Sequence, residues 1–179
     1  MSIRRPRYTK INAEVDRLLA LARVKRAPVP VEKVAELVGA DVVYNNFNNE
    51  VSGVLIRKNG KPLIGVASEQ SKERQRFTIA HELGHFLLHE GEEVHVDKVF
   101  KVNFRSPMSS AAVDVEEIEA NAFAASLLMP VTFLRSDLKG VLFDIENDAQ
   151  VELLAKKYGV STQAMGYRLM NVFSSERRS

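Results

Sequence analysis

Apolar positions along this chain recur in two rhythms, and each rhythm names an element. A period near 3.6 predicts helices over residues 9–24, with Ile11, Val15, Leu18, Leu19 and Ala22 on one side, and over 31–38, ending at Gly39. Pro28 and Pro30 break the chain between them. Residues 1–8 read as a disordered arm. Short apolar runs at 41–44, 51–57 and 62–67 predict strands, with a polar loop over 45–49. The last two runs are joined through Lys58-Asn59-Gly60-Lys61, a strong hairpin signal. Pro62 puts its strand at a start or an edge.

The strongest helical run is 74–90, where Phe77, Ile79, Ala80, Leu83, Phe86, Leu87 and Leu88 recur at helical spacing. Ser71 can cap its start, Glu73 lies in its first turn, and Gly91 follows its end. Residues 94–102 alternate loosely and predict another strand, and 106–113 a polar loop. A second strong helix covers 115–128 and stops before Pro130, which opens a short helix over 131–138. Helices at 149–158 and 162–173 close the chain, with Gly159 at the break and Ser161 as a cap. There is no internal repeat and no low-complexity segment. The pattern is that of one α+β domain over 1–179. Its parts are a basic arm and helix at 1–27, a core at 28–140 and a helical, helix-turn-helix-like segment at 141–179.

An apolar content of 45% in 179 residues suits a globular fold with a core of its own. The absence of cysteine excludes a disulfide scaffold and a thiolate-ligated metal, and it fits a cytoplasmic setting. The basic start, Ile3-Arg4-Arg5-Pro6-Arg7, is not followed by an apolar signal-peptide core. The longest apolar run, 122–134, is too short to span a bilayer. The net charge of +2 is unevenly spread, with +6 over residues 1–26, +3 over 149–179 and −7 between them. Solvated helix surfaces account for this more simply than a nucleic-acid footprint.

The chemistry lies in His81-Glu82-Leu83-Gly84-His85. One turn apart on a helix, His81 and His85 share a face and can hold one Zn²⁺. Glu82 beside them can act as general base toward a water activated by that metal. A third protein ligand is needed. His89 lies a turn further on, but about 12 Å from His81 at ~1.5 Å rise per residue, out of reach of one ion with ~2 Å bonds. The longer H-E-x-x-H-x-x-G-x-x-H pattern fails at Leu88 and Gly91. His89 therefore reads as a helix C-terminal histidine and His95 as a surface or strand residue. The better source is the 115–128 helix, whose first turns hold Glu116, Glu117 and Glu119. Acids there are favoured by the helix dipole alone. Yet small residues at Ala120, Asn121 and Ala124 would let two helices come close, and Glu117 lies on their stripe. Facing ranks Glu117 first and Glu119 second, with Asn121 one turn from Glu117 as a supporting hydrogen-bonder.

Two stretches, RQRFTIAHELGH at 74–85 and EIEANAFAASLLMP at 117–130, resemble the ImmA/IrrE-type zinc metallopeptidases. The similarity extends more weakly to Ser52-Gly53 and the last helices, covering most of 30–172. It implies a zincin-like core in which a small antiparallel sheet packs on the H-E-x-x-H helix. It also implies a gluzincin-like site, with zinc on His81, His85 and Glu117 and with Glu82 as the general base. Family members are cytosolic proteases that cut one site in a helix-turn-helix repressor and so derepress mobile-element or stress-response genes. Candidates to stabilise the oxyanion are Tyr158, Tyr167 and Arg105. Two other readings compete. Residues 151–169 could form a DNA-reading helix-turn-helix, although Gln163 and Arg168 are its few base-reading side chains. The chain could also be a metal-binding interaction module without activity.

Overall fold

Ile11, Val15, Leu18 and Leu19 fall on one stripe, and α1 (Tyr8–Leu21) buries all four. A short α2 (Val31–Leu37) follows, then the strands β1 (Asp41–Asn45), β2 (Val51–Ile56) and β3 (Leu63–Ala67). Next come α3 (Lys72–Leu88), β4 (Val94–Lys98), α4 (Val115–Leu128), α5 (Val131–Leu138), α6 (Asp148–Tyr158) and α7 (Thr162–Ser174). This is a computed structural model, and it describes residues 5–47, 51–57, 61–90, 93–98 and 115–174. The expected turn at Lys58-Asn59-Gly60, the end of the 94–102 strand, the 106–113 loop and Arg105 lie outside the described residues. Among the described residues, no helix is long and apolar enough to cross a membrane.

The sheet runs β1-β3-β2-β4. Strand β2 is antiparallel to both β3 and β4, as expected. The wholly antiparallel sheet is corrected at one edge, where β1 pairs with β3 in parallel, Asp41 opposite Leu63. The β2–β3 pairing and β4 use both edges of β2, so β1 finds its partner on the free edge of β3. Leu55, Ile64 and Val66 are fully buried in one core with Ile79, Ala80 and Leu83 of α3.

Ser71 caps α3 by accepting a hydrogen bond from the Arg74 amide. The buried Gln75 amide donates to the carbonyls of Ala67 and Ser68, at 3.1 and 3.0 Å, which seats the start of α3 on the end of β3. Arg76 ties the same helix to the far end of the fold. Its guanidinium donates to Val29 O at 2.9 Å, Gly159 O at 3.0 Å and Tyr158 O at 3.3 Å. Gly159 answers two demands there. Its φ of +64° ends α6 in the left-handed region, and a Cβ would lie 2.9 Å from Arg76 Nε. Beyond it, Ser161 caps α7 through the Ala164 amide at 3.2 Å.

Helices α3 and α4 pack along each other more extensively than any other pair of elements described. The contact is close because Gly84 faces Ala120. A Cβ at Gly84 would stand 3.0 Å from Ala120 Cα and 3.3 Å from its carbonyl oxygen. Small residues at the crossing thus set the distance between the helix that carries the histidines and the helix that carries the acids. The disordered-arm expectation is corrected at Arg7 and at Tyr8, which starts α1, while residues 1–4 lie outside the described residues. Arg7 is anchored, its backbone amide donating to Glu119 Oε1 at 2.7 Å and its Nη2 to Leu88 O at 3.1 Å.

Candidate metal centre

The middle of α3 presents His81 and His85 on one face, both almost wholly buried. Their Nε2 atoms are 3.0 Å apart. From α4, Glu117 brings Oε1 to 3.0 Å from His85 Nε2 and Oε2 to 3.5 Å from His81 Nε2. One ligand atom from each of the three residues lies within 4.8 Å of the others. Two nitrogens bound at ~2.0–2.1 Å to one tetrahedral ion stand about 3.3 Å apart, so this separation fits a shared cation to within a few tenths of an ångström. The electrostatics agree. Burial lowers the His85 pKa, with the hydrogen bond to Glu117 opposing, so the imidazole favours its neutral, lone-pair-bearing form. Burial would raise Glu117, but the close approach of the His81 and His85 rings outweighs it and holds the carboxyl below the usual range. A neutral imidazole and an ionised carboxylate are the forms that a divalent cation takes.

Glu82 is wholly buried. Its carboxylate lies against β2 at Gly53, where a Cβ would come 2.8 Å from Glu82 Oε1 and 2.4 Å from Thr78 Cγ2. Gly53→Ala therefore has to push β2 off α3 or turn both Thr78 and Glu82 aside. We expect it to cost about 1–3 kcal/mol, as overpacking does, and to lower the melting temperature by several degrees. An unchanged melting curve would show that the strand can give at that point.

The two remaining histidines differ from their sequence reading in different ways. His89 does end α3, as expected, but it is buried and bonded. Its Nδ1 is 3.3 Å from His85 Nδ1, and its Nε2 is 3.0 Å from Glu119 Oε2. His95 does lie on a strand, β4, but beside the cluster. Its ring centroid is 4.2 Å from that of His85, its Nε2 is 3.6 Å from Glu117 Oε1, and its side chain is 31% exposed. The signal was the alternation Val94-His95-Val96, in which both valines are exposed. Which face turned inward depended on β4 pairing with β2, where His95 stands opposite Leu55. Arg57, at the end of β2, is a further group that sequence reasoning missed; its Nη2 donates to His85 O at 2.9 Å.

Not every expected residue joins the site, which α3, α4 and β4 build. Glu119, the alternative third ligand, points instead to His89 and Arg7. Asn121 Oδ1 is buried without a hydrogen-bond partner among the described residues, so it does not brace Glu117 through that atom. Tyr158 is corrected as an oxyanion donor. It is fully buried, and its hydroxyl donates to Asp137 Oδ2 at 2.7 Å; burial and that bond both raise its pKa. Tyr167 lies on α7, which packs on α6. In the helix-turn-helix-like pair α6–α7, Arg168 turns inward and donates from Nε to Met129 O at 3.1 Å, while Gln163 is exposed.

Three comparisons extend this picture. The family model described as IrrE N-terminal-like domain, a peptidase family, matches residues 35–170. A curated protein of Bacillus phage phi105, "Uncharacterized immunity region protein 2", is 28% identical over 142 residues, covering 79% of this chain and 82% of the phage protein. A solved structure, "Mycobacterium tuberculosis transcriptional regulator", shares the fold with a TM-score of 0.59 at 15% identity over 90% of this chain. The chain spans 47% of that regulator, about half its length.

Proposed function

The chain belongs to the IrrE N-terminal-like domain family of peptidases, and from that premise we propose that it is a zinc-dependent endopeptidase of the cytoplasm. Its substrate on this reading is a helix-turn-helix repressor, cut at one site so that mobile-element or stress-response genes are released. The observation that carries the reading is the convergence of His81, His85 and Glu117 around one ion-sized space, with a buried Glu82 on the same helix. The phage relative's description, an immunity region protein, favours a regulatory substrate over general digestion.

His81 Nε2, His85 Nε2 and one Glu117 oxygen would hold the ion. When bound, a divalent metal supplies Lewis acidity, lowering the pKa of water toward ~7 and polarising a carbonyl. The Glu82 carboxylate takes the proton of the attacking water and returns it to the leaving amine nitrogen. His95 replaces the engaged Tyr158 and joins Tyr167 and Arg105 as a candidate donor to the developing oxyanion, since it opens from the cluster toward solvent. Strand β4 ends the sheet order with Val94 and Val96 exposed, and an extended peptide could add to that edge beside His95.

The test is to load the protein with zinc, incubate it with helix-turn-helix repressors from its own source, those encoded nearest to it first, and weigh the products. Two fragments whose masses sum to one repressor plus one water are expected. Intact repressors throughout, with full metal occupancy verified in the same samples, would leave the competing reading of a metal-binding interaction module. Direct DNA reading is disfavoured by the inward Arg168.

A further inference from the structure

We propose that Arg7, Glu119 and His89 form a hydrogen-bonded chain that positions His85 and sets the metal affinity of the centre, so that the N-terminal segment is a working part of that site. The inference rests on the metal-binding reading above and concerns residues outside its ligand set.

The chain of contacts is continuous. His85 turns Nε2 toward His81 and Glu117, which leaves Nδ1 on the opposite side of its ring. That Nδ1 is 3.3 Å from His89 Nδ1. His89 Nε2 is 3.0 Å from Glu119 Oε2, and the side chains of both are buried to within 1%. Arg7 closes the far end, its backbone amide donating to Glu119 Oε1 at 2.7 Å and its Nε to the same oxygen at 2.9 Å. Nη2 of the same side chain bonds both Glu119 Oε2 and the carbonyl of Leu88, next to His89 in the chain.

Each link dictates the next. The Glu119 carboxylate beside a guanidinium is an acceptor only. The His89 nitrogen facing it, Nε2, must therefore carry the hydrogen. In a neutral ring this leaves Nδ1 of His89 with a lone pair. His85 Nδ1 faces that lone pair, so it carries a hydrogen and donates. The remaining nitrogen of His85, Nε2, then has its lone pair free on the side of the cluster, as a metal ligand requires. The chain thus selects one tautomer and one ring orientation at His85. Metal-ligating histidines are commonly held in this way by a single carboxylate or carbonyl, and losing that support typically weakens metal affinity 10- to 100-fold. Here a second imidazole is interposed, which carries the influence of Glu119 across to a ligand on the neighbouring helix. Arg7 has a distinct part. Glu119 is fully buried, and a buried carboxylate deprived of its cation is strongly disfavoured.

The division of labour on α4 follows. Glu117 reaches the ligand nitrogens directly, whereas Glu119, two residues on, reaches the back of the same histidine through His89. A latch that served folding alone would hold α1 against α4 without affecting the ion.

The readout is metal affinity, measured by chelator competition with zinc, together with the visible spectrum of the cobalt-substituted protein. Glu119→Gln keeps the shape and removes the charge. Arg7→Gln changes a partly exposed side chain and leaves the core composition intact, so it remains informative if Glu119→Gln folds poorly. We expect Glu119→Gln to bind zinc 10- to 100-fold more weakly and to shift the cobalt bands, with Arg7→Gln following in the same direction by less. Arg7→Lys, which keeps a cation, should recover part of the Arg7→Gln loss. Folded variants with the wild-type affinity and cobalt spectrum would overturn the inference and leave the metal site standing. Failure of the wild-type protein to bind either ion would remove the metal reading and this inference with it.

Discussion

Glu82→Gln is expected to abolish cleavage while leaving the metal and the fold in place. The substitution is isosteric, so the packing against Gly53 and Thr78 is kept, and only the ability to accept a proton is lost. Positioned general acid–base groups contribute roughly 10²- to 10⁴-fold to a rate. Glu82 is asked to serve twice, on the attacking water and on the leaving amine, so a loss of at least about 10³-fold is expected, within that range. Zinc content should be unchanged, because His81, His85 and Glu117 supply the donor set without it. Single-turnover cleavage of the cognate repressor with the metal-loaded variant in excess measures the first quantity, and metal analysis of the same sample measures the second. A normal rate in a fully loaded variant would remove Glu82 from the mechanism. A slow rate caused by metal loss would point instead to a structural part for its buried carboxylate.

The features legible from sequence were local ones. The apolar spacing of α3 and its Ser71 cap required only a helix and a hydroxyl three residues before the Arg74 amide. The α4 stripe of Ala120 and Ala124 foretold a close approach, and the structure adds the residue it approaches, Gly84. Facing alone ranked Glu117 above Glu119, and the cluster forms with Glu117. What escaped depended on partners far apart in the chain. Arg7 and Glu119 are separated by 112 positions, and nothing in the basic run at the N-terminus marks one arginine as the counter-charge of a buried acid. His95 had the alternation of a strand residue, but its inward face followed from the β2–β4 register. The parallel edge had the same origin. The run at 41–44 announced a strand and not its neighbour, and pairing in sequence order would have placed β1 on β2 instead of β3.

Glu117→Ala should remove most of the stabilisation that zinc confers. A ligand that binds only the native state adds about 2.7 kcal/mol at a free concentration one hundred times its dissociation constant. For a chain of this size that corresponds to a rise of roughly 5–10 °C in melting temperature. Without the carboxylate, two imidazoles on one helix hold the ion alone. The affinity loss should then exceed the 10- to 100-fold typical of losing an outer-layer partner. At the same zinc concentration the variant should show little or no rise. Its metal-free stability should change less, because Glu117 is 30% exposed and a first-turn acid is typically worth about 0.3–1 kcal/mol to its helix. Glu119 cannot take over, since both its oxygens are held by Arg7 and one also by His89. Undiminished zinc stabilisation in Glu117→Ala would hand the third position to His95, whose Nε2 is 3.6 Å from the deleted carboxylate. Three histidines would then hold the ion, and the double variant with His95→Ala would be the one to lose it.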